Sequence, residues 1–168
     1  MPVFRIGTDN FKELIDEGGY FVDKSLFIRE IIDGNKVVLL PRPRRFGKTL
    51  NMTMLRYFFE KTENDQNYLF EGLAISHYSE YQKHQGQYPV IFISLKDVKG
   101  VSWVESRRRL VEKIGELLAQ FKYIEPTLDP IYQDGFHAIL SGNPDDASMK
   151  ASLKNLITWL YNYHQKPV

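Results

Sequence analysis

The stretch KVVLLPRPRRFGKTLNMTML, residues 36–55, decides how the rest of the chain is read. Val37 to Leu40 form a continuous β-branched and aliphatic run without alternation, the pattern of a strand buried on both faces. From Lys48 to about Glu60 the apolar positions Leu50, Met54, Leu55 and Phe58 fall at helical spacing. Between the two lies Gly47-Lys48-Thr49, placed as in a phosphate-binding loop of the form G-x-x-x-x-G-K-[ST]. Arg42 occupies the place of the first glycine. A side chain there resists positive φ, so the early half of the loop must take another path, one that Pro41 and Pro43 can fix.

Upstream, Asn10 and Glu13 have capping-box spacing before Phe11, Leu14 and Ile15, and Gly18-Gly19 ends that short helix. Tyr20 to Val22 read as extended. Asp23 or Ser25 can cap a second helix carrying Leu26, Ile28, Ile31 and Ile32, which stops at Gly34. Downstream, YPVIFISL (88–95) predicts a second buried strand. Leu110, Val111, Ile114, Leu117, Leu118 and Phe121 predict an amphipathic helix over 103–121. A last helix is expected from about Ser148 to His164. Buried strands alternating with helices predict an α/β fold with a mostly parallel sheet flanked by helices. Two strands do not complete such a sheet, so the chain reads as one domain over 1–168 cut short before a further strand.

The 168 residues, 43% hydrophobic and 26% charged, suffice for one domain with a core and exclude general disorder. The 22 basic and 21 acidic side chains nearly cancel, so net charge gives no support to a nucleic-acid or membrane partner, and any basic site must be local. The absence of cysteine excludes disulfides, thiolate metal sites and a cysteine nucleophile. The start, MPVFRIGTDNF, lacks the n- and h-regions of a secretory signal, and no apolar run reaches membrane-span length. A cytoplasmic location is the expectation.

Backbone N–H groups at a helix N-terminus form an anion site, because they lack intrahelical partners and sit at the positive end of the helix dipole. In a phosphate-binding loop Lys48 would reach the β- and γ-phosphates, Thr49 would ligate magnesium, and Gly47 would admit close backbone approach. The competing reading makes Gly47 a turn residue, Lys48 a solvated side chain and Thr49 a cap. Arg44 and Arg45 could add charge toward a triphosphate or a nucleic-acid phosphate, or be solvated or ion-paired surface. Asp97 reads as a loop residue, with a catalytic role as the minority reading because it follows a strand. The four histidines show no ligand spacing. Arg107-Arg108-Arg109 point about 100° apart on a helix and read as a solvated face. The tyrosines at 68, 78, 81 and 88 read as packing and interface material.

FKELIDEGGYFVDKS, VVLLPRPRRFGKTLNMTMLRYFF and YPVIFISLKDV together resemble the N-terminal part of the bacterial and archaeal AAA-ATPase-like family. In that family R-P-R-R-F-G-K-[ST] replaces the glycine-first loop, so Arg42 is a family trait. The resemblance covers nearly all of the chain and implies a P-loop NTPase-like region, often followed by a PD-(D/E)XK nuclease-like domain. It implies ATP and Mg2+ as ligands. Nucleotide binding is expected of Arg44, Arg45, Phe46, Gly47, Lys48, Thr49 and Leu50, with Asp23 and Lys24, the family's D-K pair, near the base or ribose. Helix capping explains Asp23 as well. Thr49 is the expected metal ligand, and no catalytic residue is assigned. The family's Walker B strand follows the helix that ends here at His164, so hydrolysis by this chain alone is not expected. The alternative function is a non-catalytic protein- or nucleic-acid-interaction module with a degenerate loop. An incomplete sheet edge would also invite self-association.

Overall fold

The computed structural model describes residues 7–41, 43 and 46–168. It divides into two compact units, Met1–Val90 and Ile91–Val168.

In the first unit, α1 (Phe11–Asp16) starts where the spacing predicts: the Asn10 side chain accepts the Glu13 N–H at 3.3 Å. Helices α2 (Phe27–Asp33) and α3 (Lys48–Phe59) follow, then two 3-10 turns, Asn67–Phe70 and Ala74–His77, and the single turn α4 (Ser79–Gln82). Phe11, Ile28, Met54, Phe58, Leu69, Phe70 and Ile75 form the core. Its centre is aromatic, with Phe70 at 5.3 Å from Phe11 and 5.2 Å from Phe58 between ring centroids. The start of α1 is tied to α3 by a buried hydrogen bond, Phe11 N–H to the Thr53 hydroxyl at 3.0 Å.

The second unit is built on α5 (Trp103–Gln120), α6 (Pro130–Leu140) and α7 (Asp146–His164), with a 3-10 segment Lys122–Thr127 before α6. Helix α5 packs on α6 and α7. Ser102, Asp129 and Asp145 cap the three helices through their side chains. The core joins Ile114, Leu118, Phe136, Ile139, Leu156 and Leu160. Gly115 permits the close approach of α5 to α6: a Cβ there would stand 3.3 Å from the Ile139 carbonyl oxygen.

The α/β expectation is overturned. Among the described residues there is no strand, and therefore no mostly parallel sheet to be cut short. Val37 to Leu40, expected to be buried on both faces, is open to solvent: Val37 is 79% and Leu39 85% exposed. Of YPVIFISL, Tyr88 makes an isolated parallel bridge with Glu60 at the end of α3. Ile91 and Ile93 are partly buried against the helical core of the second unit, and Leu95 is 58% exposed. The physical reason is that an apolar β-branched run records a preference for extended backbone and burial, but not the partner strand that would make it part of a sheet. No helix among the described residues is long and apolar enough to cross a membrane.

Several carboxylates are held below the ordinary range. The Val101 N–H and then the Arg109 guanidinium lower Glu105, and the Ser148 N–H lowers Asp145. At Asp23 burial opposes ionisation, but hydrogen bonds from Ser25 and the Ala74 N–H outweigh it. A depressed folded pKa contributes stability above the unfolded value, 3.8 for an aspartate, and that stability is lost as pH falls through the folded pKa. The urea midpoint is therefore expected to fall as pH drops below about 4, and to fall less steeply in Asp23→Asn. A midpoint flat across that window would contradict the assignment.

Candidate functional site

The sequence places its candidate site at the start of α3, and the geometry there follows from one residue. Gly47 takes φ 69° and ψ 23°, the left-handed conformation that a side chain disfavours, and turns the chain directly into the helix. Among the described residues a Cβ at Gly47 would meet nothing within 4 Å. The Asn51 N–H donates to the Gly47 carbonyl at 2.9 Å and opens the intrahelical ladder. The N–H groups of Lys48, Thr49 and Leu50 precede that bond, so helix geometry gives them no acceptor within α3. Gly47 has no side chain to cap them, and no acidic residue stands in the first turn. The helix dipole there is uncompensated by any carboxylate of that turn.

Lys48 and Thr49 are exposed, and Phe46 is 60% exposed. Leu50 turns inward and packs against the core of the first unit. Arg42, Arg44 and Arg45 lie outside the described residues.

Asp23 does not cap α2, whose start has no side-chain cap. Its two oxygens instead accept the Ser25 N–H at 2.8 Å and the Ala74 N–H at 2.7 Å. The fully buried Ser25 hydroxyl accepts the next N–H, that of Ile75, at 3.0 Å. Asp23 and Ser25 together cap the 3-10 turn Ala74–His77, far away in sequence. Lys24 between them is exposed.

Asp97 lies in the second unit, where its backbone carbonyl accepts from Arg109 at 3.3 Å. The arginine triplet is exposed in part but neutralised. Arg107 pairs with Asp146, Arg108 with Glu112 and Arg109 with Glu105. Its charge is spent on the unit's own carboxylates. Three of the four tyrosines bond on the surface of the first unit: Tyr68 donates to Asp16 at 2.8 Å, Tyr81 to Asp33 at 2.6 Å, and Tyr88 contacts His84. Among the described residues no three His, Asp or Glu side chains gather as a metal site.

One feature near α3 has no local signal in the sequence. Phe27, Ile31, Val38, Leu40, Met52 and Leu55 wall a groove, with Asn35 and Lys36 also lining it. Only the apolar character of Val38 and Met52, about half exposed here, could have hinted at it.

Residues 5–168 match the family model described as Predicted AAA-ATPase, and the chain belongs to that family. It is similar to an "uncharacterized protein in vnfD 5'region" of Azotobacter chroococcum mcd 1, 34% identical over 115 residues, which cover 67% of this chain and 20% of that protein. The match thus spans about a fifth of that relative's length. No solved structure matches the chain.

Proposed function

We propose that the chain is a nucleotide-binding module, taking ATP with Mg2+ at the start of α3. The observation that carries this reading is the left-handed Gly47 opening α3 directly onto Lys48 and Thr49. Membership of a family of predicted AAA-ATPases supports it. In this reading the N–H groups of Lys48, Thr49 and Leu50 hold phosphate oxygens, and Lys48 supplies the positive charge. Phe46 and Gly47 shape the approach, and Arg44 and Arg45 add charge toward the triphosphate. Thr49 offers one hydroxyl to magnesium. Magnesium keeps most of its waters and is held chiefly by nucleotide phosphates, so it needs no cage of carboxylates. Asp23 and Ser25 brace the 3-10 turn in this scheme, with Lys24 left toward solvent.

The experiment is a thermal-unfolding titration with ATP in the presence and absence of Mg2+, on the wild type and on Thr49→Val. The wild type is expected to be stabilised by ATP, more strongly with Mg2+. In Thr49→Val the metal-dependent part should vanish while metal-free ATP retains its effect. No stabilisation of the wild type by ATP under either condition would overturn the reading.

A further inference from the structure

We propose that a groove of the second unit, walled by the start of α6 and by α7, binds a small aliphatic amine as its ammonium ion. The groove encloses about 540 Å³, within the range of small-molecule sites, and none of its residues belongs to the site proposed at α3. Asp129 and Tyr132 reach it from the start of α6, and Trp159 and Tyr163, about one turn apart, from α7.

Aromatic rings and a single carboxylate set the chemistry of the groove. The Trp159 indole is held against the core, 5.8 Å from the fully buried Phe136, and meets Tyr132 at 5.9 Å between ring centroids. Tyr163 is fixed by an edge contact with Tyr123 at 5.3 Å. Tyr132 and Tyr163 remain 46% and 47% exposed, so both rings are open to a ligand. The rings of Tyr132 and Trp159 are inclined at 60°, a corner rather than a parallel slot, which suits a compact cationic head better than a flat one. Among the described residues that line the groove, Asp129 is the one with a charge. Its charge and the ring quadrupoles both attract a cation.

The polar groups select an ammonium that carries hydrogens. The Thr158 hydroxyl donates to the Lys154 carbonyl at 3.1 Å and the Thr127 hydroxyl to the Ile124 carbonyl at 2.7 Å. Each hydroxyl has its hydrogen engaged and offers a ligand only lone pairs. The Asp129 carboxylate accepts the Ile131 N–H at 3.0 Å and has lone pairs for further donors. Asn155 and Asn162 also line the groove, and an amide can turn its oxygen toward a donor. Acceptors therefore predominate, and an alkylammonium, which has donor hydrogens and no acceptor, matches them. A quaternary ammonium has no N–H and would leave them unsatisfied.

The test follows the indole N–H signals of the two tryptophans by heteronuclear NMR while the chain is titrated with cadaverine or with the corresponding diol, its neutral counterpart. The Trp103 indole, on α5 and 75% exposed, is the reference signal. Cadaverine is expected to shift the Trp159 signal saturably and to bind about tenfold more tightly, or more, than the diol. Asp129→Asn removes the charge but keeps a side chain that caps helices well, and should weaken cadaverine about fivefold. Tyr132→Leu, at an exposed position, should weaken it about threefold. Neither substitution should change the response to the diol. Equal binding of the diol, no saturable Trp159 shift up to about 10 mM cadaverine, or wild-type affinity in Asp129→Asn would overturn the proposal. Tighter binding of a lysine-containing peptide than of cadaverine would also overturn it, and would assign the groove to a protein partner. The wild-type comparison of amine and diol decides even where a variant does not fold.

Discussion

Phe58→Ala is expected to destabilise the protein by about 3–5 kcal/mol, the cost of emptying a fully packed aromatic position in a core. Phe58 is 1% exposed, and its ring meets Phe70 edge-on at 5.2 Å. Phe70 in turn touches Phe11, so the ring of Phe58 joins α3 to the turn Asn67–Phe70, beside the Phe11–Thr53 hydrogen bond that ties α3 to α1. The lost aromatic pair is included in that cost. Phe46→Ala is the internal comparison. That ring is 60% exposed, and its removal should change the unliganded stability by no more than about 0.5 kcal/mol. Urea denaturation followed by far-ultraviolet dichroism measures both. A Phe58→Ala cost below about 1 kcal/mol would mean that the aromatic centre is not the core of this unit.

Phe136→Ala should have an effect of the same size, about 3–5 kcal/mol, in the second unit. Phe136 is fully buried on α6 and lies 5.8 Å from Trp159 of α7 at an interplanar angle of 66°. The contact joins two helices that share Ile139, Leu156 and Leu160 in one cluster. Deleting the ring opens a cavity against an indole, so tryptophan emission should shift to longer wavelength before unfolding. Trp103 is 75% exposed and supplies a constant background. Unchanged emission together with a cost under about 1 kcal/mol would contradict the placement of α6 against α7.

The helices were legible where their signals are local. Asn10 and Glu13 announce α1 because capping joins residues three apart. Leu110 to Phe121 announce α5, and the apolar face of α7 follows the same rule, because amphipathic spacing survives in any surroundings. Helix α6 escaped although Asp129-Pro130 is a good start signal, since Gly135 interrupts its interior and its apolar positions crowd into the second half. The 3-10 turns are too short to show a period. The strands failed for a different reason. Val37 to Leu40 and Val90 to Leu95 carry the composition of buried strands, yet pairing is a long-range property that no window of sequence contains.

The site divides in the same way. Gly47, Lys48 and Thr49 could be placed at a helix start because strand-like run, glycine and helix are consecutive. The cap expected of Asp23 or Ser25 on the second helix is absent, and Asp23 bonds elsewhere. Its partner is the N–H of Ala74, and nothing near Asp23 in the sequence announces that bond. The groove was invisible because its walls come from three separate segments.

The most direct test of nucleotide binding at the start of α3 is a thermal-unfolding titration with Mg2+–ATP on wild type and Lys48→Ala in parallel. A ligand that binds only the folded state raises stability by mass action, by about 2.7 kcal/mol at a hundredfold excess over its dissociation constant. The expected result is a rise of that order in the wild type and none in Lys48→Ala, with the unliganded stabilities of the two within about 0.5 kcal/mol because Lys48 is exposed. An equal rise in both proteins would place the nucleotide elsewhere, and no rise in either would contradict nucleotide binding by this chain.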